Sequence, residues 1–116
     1  MPRGAVLVVD DDEDVIELLR FAIGEAGYPV YVARDGAEAL QVLQDTPSIA
    51  LLLTDYHMPV MDGAALVAKV RALESRANLP IVMFSGDPEI PAGVSSIKKP
   101  IDACCVLAVV RRHCDL

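Results

Sequence analysis

Short apolar runs alternate with helical stripes along this chain, and that alternation restricts its fold more than any other feature. Ala5–Val9 reads AVLVV, residues 30–33 VYVA, residues 49–54 IALLLT and residues 80–85 PIVMFS. Each is too short for a helix, and the apolar runs leave no polar face for solvent, as in strands buried on both sides. Between them, Val15–Ala26 places apolar residues at 15, 16, 19, 22, 23 and 26, and Gly27 supplies a C-terminal stop. Asp35 suits the cap of a helix over Gly36–Gln44, with Ala37, Leu40 and Leu43 inward. Ala64–Leu73 forms a third helix with Leu66, Val67, Val70 and Leu73 inward. Ser95–Lys98 reads as a short fifth strand, and a last helix runs from Asp102 to about His113. Arg111, Arg112 and His113 fall in its final turn, where positive charge complements the helix dipole. The expected fold is α/β: a five-stranded parallel sheet covered by helices on both faces.

With 116 residues, the chain reads as a single domain over 1–116, able to bury roughly two thirds of its surface. Its 53% apolar content excludes disorder. No apolar run approaches the ~20 residues of a spanning helix, and MPRGAVLVVDDD reaches carboxylates too early for a signal peptide. The expected location is the cytoplasm, with no membrane contact. A net charge of −7 argues against direct nucleic-acid binding and favours cations or a partner's basic patch. Cys104, Cys105 and Cys114 all fall in the last thirteen residues, a poor disulfide framework. His113 beside Cys114 has no second spaced pair to complete a zinc site. The three cysteines read instead as small hydrophobes in a reduced helix.

In parallel sheets, sites form outside the carboxyl ends of the strands. The first strand ends in Asp10, Asp11 and Asp12, the third in Asp55, the fourth in Ser85 and the fifth in Lys98 and Lys99. The second ends in Ala33-Arg34-Asp35, ordinary turn chemistry. Each has a plainer explanation taken alone. DDDEDV suits a helix N-terminus, Asp55 ends a strand, Ser85-Gly86 makes a turn, and KKP is a solvated charge pair. DDDEDV is not a calcium loop, because Val15 stands where the required glycine would be. The coincidence at the ends of four strands is what points to a site. Two carboxylates ~4 Å apart repel by about 1 kcal/mol in water and about 4 kcal/mol at an effective dielectric of 20. A hard cation with oxygen ligands relieves that repulsion, and a site that keeps waters suits Mg2+. A carboxylate beside Mg2+, with a lysine and a hydroxyl, is equipped to take up a phosphoryl group.

The motifs VLVVDDDEDV, LLLTDYHMPVMDG, IVMFSG and IKKP, in that order, resemble the receiver domain of two-component response regulators over essentially the whole chain. The resemblance implies the flavodoxin-like (βα)5 fold with strand order 2-1-3-4-5. It implies Asp55 as phosphoacceptor for a histidine kinase and Asp10 and Asp11 as the acidic pair binding Mg2+. The backbone carbonyl of His57 is implied as a further ligand. Ser85 matches the family's strand-four hydroxyl, Lys99 its active-site lysine, and Gly86 its small residue beside the phosphoryl group. Lys98 is a neighbour. His57 and Asp87 fall at positions flanking the phosphoryl group, where they would tune its lifetime or simply be solvated. The resemblance implies a signalling switch, not an enzyme with an external substrate.

The chain departs from the family pattern twice. Ser96 stands where receivers commonly carry a switch aromatic, and serine lacks the bulk to report its movement. Ser85 and Lys99 are only 14 positions apart, roughly two helical turns short of the usual pattern. The intervening GDPEIPAGV, rich in proline and glycine, predicts a fourth helix shortened or replaced by a loop. The apolar last helix would then cover exposed sheet or meet a partner helix or second copy, a possible homodimer. Two other readings are an unphosphorylated pseudo-receiver and a haloacid-dehalogenase-like phosphatase. The phosphatase expects Asp-x-Asp-x-Thr/Val, whereas the fifth position is Asp14 counting from Asp10 and Ile16 from Asp12. The domain would stand alone, relay phosphate, or belong to a hybrid kinase or longer regulator.

Overall fold

The computed structural model describes residues 4–55, 61–73, 76–84, 94–97 and 102–115. In chain order they form β1 (Ala5–Val9), α1 (Glu13–Glu25), β2 (Val30–Ala33), α2 (Gly36–Asp45) and β3 (Ile49–Asp55). There follow α3 (Gly63–Ala72), β4 (Ile81–Phe84), β5 (Ser95–Ile97) and α4 (Ala103–Cys114). The strands make one parallel sheet in the order β2-β1-β3-β4-β5, as the resemblance implied. The expected shortened fourth helix would lie in residues 86–94, of which 86–93 are outside the described residues, so α4 here is the last helix.

The alternation of β1 side chains divides the core into two. Ala5, Leu7 and Val9 face Ala39 and Leu43 of α2 and Leu66, Val67 and Val70 of α3. Val6 and Val8 face Leu19 and Ile23 of α1 and Val106, Val110 and Cys114 of α4. Because both faces are covered, β1 and β4 are apolar at every position, and each fully buried Val or Leu contributes about 1.5–3 kcal/mol. The edge strands differ. Tyr31 of β2 is 40% exposed, and Ser95 and Ser96 of β5 are both exposed.

Aspartate caps all four described helices. Asp12 accepts from Asp14 N at 2.9 Å, Asp35 from Glu38 N at 2.8 Å, Asp62 from Ala65 N at 2.8 Å and Asp102 from Cys104 N at 2.8 Å. Each cap stabilises by about 1 kcal/mol relative to alanine. The Asp12 cap explains why α1 begins at Glu13, two residues before the apolar stripe that marked it in the sequence. Gly27 ends α1 as expected: at φ 94° it lets its own N–H reach Gly24 O at 3.0 Å and Tyr28 N–H reach Ile23 O at 3.3 Å.

Three inward assignments change. Ala37 is exposed and Ala39 is buried in its place, because the inward stripe of α2 runs through 36, 39 and 43 and leaves position 37 about 100° away. Leu73 is the half-buried C-cap of α3 and not an inward helical residue. Of the cysteines, only Cys114 is a core hydrophobe, whereas Cys104 and Cys105 are exposed.

Arg76, only 8% exposed, is the least expected structural residue. Its guanidinium donates to the carbonyls of Ile49 at 2.8 Å, Leu43 at 3.2 Å and Thr46 at 2.6 Å. Helix α2 has no basic residue in its own last turn. Arg76 therefore supplies the positive charge that its C-terminal carbonyls attract, and it fixes the start of β3.

Candidate functional site

The site begins with the register of β1 against β3. Val9 pairs with Thr54, so the next residues, Asp10 and Asp55, emerge side by side at the carboxyl edge of the sheet. Carboxylate oxygens of Asp10, Asp11 and Asp55 lie within 4.8 Å of one another. Asp10 is 1% exposed and Asp55 5% exposed, while Asp11 faces solvent. The backbone N–H of Asp10 donates to Ala33 O at 3.1 Å, and its Oδ1 accepts from Asp12 N at 2.9 Å. Asp10 is thus held between the end of β2 and the first turn of α1. On the far side of Asp55, Thr54 Oγ1 donates to the Asp55 carbonyl at 3.0 Å.

DDDEDV proves to have several jobs. Asp10 and Asp11 join the carboxylate cluster, and Asp12 caps α1. Glu13 pairs with Arg34, whose Nε donates to Glu13 Oε1 at 2.6 Å and whose second guanidinium nitrogen meets the same oxygen. Arg34 therefore ties the end of β2 to the first turn of α1, beyond the plain turn role read from the sequence. Within the acidic run, Asp12 serves the start of the helix, whereas Asp10 and Asp11 lie in the carboxylate cluster with Asp55.

Asp55 pairs with Phe84, and Phe84 with Ile97, so the last described residues of β4 and β5 reach the same edge. Their continuations, Ser85, Gly86 and Asp87 on one side and Lys98 and Lys99 on the other, lie outside the described residues. So does His57. Gly36 makes a close approach to Met61: a Cβ there would stand 2.5 Å from Met61 Sδ and 3.1 Å from its Cβ. The absence of a side chain at 36 lets Met61 and the Asp62 cap pack against α2.

The cluster offers only carboxylate oxygens. That donor set fits a hard divalent cation such as Mg2+ and does not suit a soft metal. At an effective dielectric of 20, two such charges at that separation repel on the order of 3 kcal/mol, less where Asp11 is screened by water. A cation there would offset that repulsion.

A parallel sheet in this order, with an acidic cluster between the ends of its first and third strands, defines a flavodoxin-like α/β domain with a cation-ready edge. The chain belongs to the response regulator receiver domain family, whose model matches residues 6–105. It is 35% identical, over 94% of its length, to an uncharacterized 14.6 kDa protein of Leptolyngbya boryana, of which it covers 88%. It is 43% identical, over 72% of its length, to the sensor histidine kinase TmoS of Ectopseudomonas mendocina, spanning only 8% of that protein. A response regulator receiver protein from Pseudomonas putida has a similar structure, with a TM-score of 0.88 at 31% identity, covering 97% of this chain and 99% of that one. Among the described residues, no helix is long and apolar enough to cross a membrane.

Proposed function

We propose that this receiver takes a phosphoryl group from a histidine kinase onto Asp55, and that the modified domain signals by a change of conformation. The observation that carries this reading is the meeting of Asp10, Asp11 and Asp55 within 4.8 Å at the ends of β1 and β3. These three residues, with the backbone carbonyl of His57, would hold Mg2+. When bound, it would supply positive charge to the carboxylates and to the incoming phosphoryl oxygens.

Asp55 is the nucleophile. Its Oδ–P bond forms as the N–P bond of the kinase phosphohistidine breaks, and the electron pair returns to the imidazole nitrogen, which takes up a proton. Asp10, fixed by Asp12 N–H and Ala33 O, keeps its carboxylate aimed at the acceptor. Sequence position assigns Lys99 and Ser85 to the phosphoryl oxygens, one as a cation and the other as a hydroxyl donor. The domain takes part in its own modification without turning over an external substrate. The kinase partner is supported by the likeness to part of TmoS. The acidic charge of −7 favours protein partners over nucleic acid.

The test is Mg2+-dependent labelling by a small acyl phosphate, comparing wild type with Asp55→Asn. Label on the wild type alone, lost on chelation, is expected. Equal labelling of both would overturn the assignment of Asp55. A folded wild type that takes no label from the donor or from any kinase would favour the pseudo-receiver.

A further inference from the structure

The carboxylate cluster has a positional problem that its own residues do not solve. Asp10 and Asp55 are buried at strand ends, but Asp11 faces solvent one residue beyond β1. Three like charges push apart, and an exposed carboxylate can swing outward to relieve them. A carboxylate oxygen of Asp11 nevertheless lies within 4.8 Å of those of Asp10 and Asp55. Burial does not hold that side chain in place, so its aim depends on the backbone of residues 10–13.

That backbone is tied twice to the end of β2. Val9 pairs with Ala33, and the next N–H, that of Asp10, donates to Ala33 O at 3.1 Å. Three residues on, Glu13 meets Arg34: Nε donates to Glu13 Oε1 at 2.6 Å, and a second guanidinium nitrogen meets the same oxygen. Asp11 and Asp12 are thus bracketed by ties to two consecutive residues. The base of Arg34 is itself fixed. Ala33 is fully buried, Asp35 caps α2 through Glu38 N at 2.8 Å, and Gly36 lies close against Met61.

Stability does not account for the pair, because both side chains are more than half exposed, at 52% and 58%, and such pairs add little. Charge does not account for it either. Asp10, Asp11, Asp12, Glu13, Asp14 and Asp55 set six carboxylates around this edge, and a guanidinium beside them lessens their pull on a second cation. If charge were the whole effect, Arg34 would weaken the site. A planar group with two nitrogens on one oxygen instead fixes direction.

We propose that Arg34 is a positioning residue of the cation site. Through Glu13 it holds the first turn of α1 so that Asp11 aims into the cluster with Asp10 and Asp55. The inference rests on the reading of that cluster as a Mg2+ site, and not on phosphorylation. Position and charge predict opposite signs: loss of Arg34 weakens Mg2+ binding if it positions Asp11, and tightens binding if it acts only as a charge.

Titration of the full chain with Mg2+, followed by amide NMR, tests it. Wild type should bind, with shifts centred on residues 10–12 and 55. Arg34→Ala should raise the dissociation constant about tenfold, the low end for a residue that orients metal ligands. Arg34→Lys should recover part of that loss. In a Glu13→Ala background, where the tie is already cut, Arg34→Ala should weaken binding no further. Without Mg2+, Arg34→Ala should melt close to the wild-type temperature. An Arg34→Ala dissociation constant equal to or below that of wild type overturns the proposal. So does a full further loss in the Glu13→Ala background, or a metal-free Arg34→Ala that melts far below wild type, which would make the pair a stability contact. A wild type that takes up no Mg2+ fails one step earlier: it overturns the cation-site reading itself, and the role of Arg34 with it.

Discussion

Replacing Arg76 by methionine keeps most of its volume and removes its charge and donors. Three carbonyls lose their partner: Ile49 O at 2.8 Å, Leu43 O at 3.2 Å and Thr46 O at 2.6 Å. A hydrogen bond to a charged group contributes about 1.5–3 kcal/mol, and an orphaned buried acceptor costs about 1–3 kcal/mol. The bonds to Ile49 and Leu43 are buried, whereas the Thr46 bond is only partly so and water can replace it. Since bonds from one group do not add, the expected loss is about 3–4 kcal/mol, a large share of the ~5–15 kcal/mol holding a domain this size together. Urea denaturation should show a lower midpoint with an unchanged slope, and the melting temperature should fall by roughly 10–20 °C. Arg76→Lys should recover part of the loss, because one ammonium cannot reach all three carbonyls in a fixed fork. The contact is at the start of β3 and Asp55 at its end, so the folded variant should still accept phosphate. If Arg76→Met stays within about 1 kcal/mol of wild type, these carbonyls do not depend on the guanidinium and the reasoning fails.

Two further outcomes follow from the core and the acidic edge. Burial, with the charge of Asp115 adding to it, pushes the Cys114 thiol up to about 11 from 9.0. The unfolded chain then loses this proton before the folded one does. This contribution is fully present below pH ~9 and is lost as pH rises towards ~11, by about 2–3 kcal/mol. Cys114→Val should flatten that alkaline loss relative to wild type in pH-dependent urea melts, and identical profiles would refute the assignment. Mg2+ should raise the melting temperature of wild type, by the equivalent of about 2.7 kcal/mol at a hundredfold excess over its dissociation constant. Asp10→Ala should abolish that rise, and an equal rise in both proteins would place the cation elsewhere.

The flanking glutamate and arginine show the limit of reading side chains one at a time. Glu13 looks like one more helix-start acid and Arg34 like one more turn residue, yet they meet across 21 positions to join β2 to α1. Phe21 and Leu18 are comparable: among so many apolar residues, their composition alone does not mark them as outward. The period of α1 does place them off the stripe of Ile16, Leu19 and Ile23, and that was the signal available. Ala37 went the other way, because the exact phase of a two-to-three-turn helix depends on where its first residue packs.

By itself, the sequence determined the class of fold. Runs apolar on both faces, alternating with amphipathic stretches, have a stable solution in a parallel sheet between two helix layers, and local burial suffices to say so. It also determined that polar groups gather at the strand ends, because a strand's end is where its apolar run stops. Which carboxylates meet was decided only in three dimensions. The β1–β3 register brings Asp10 and Asp55 together and leaves Asp12 to cap a helix. Arg76 is likewise visible as a buried residue only once α2 and β3 have placed three carbonyls around it. Contacts between residues far apart in the chain depend on register and packing, and no stretch of sequence carries those alone.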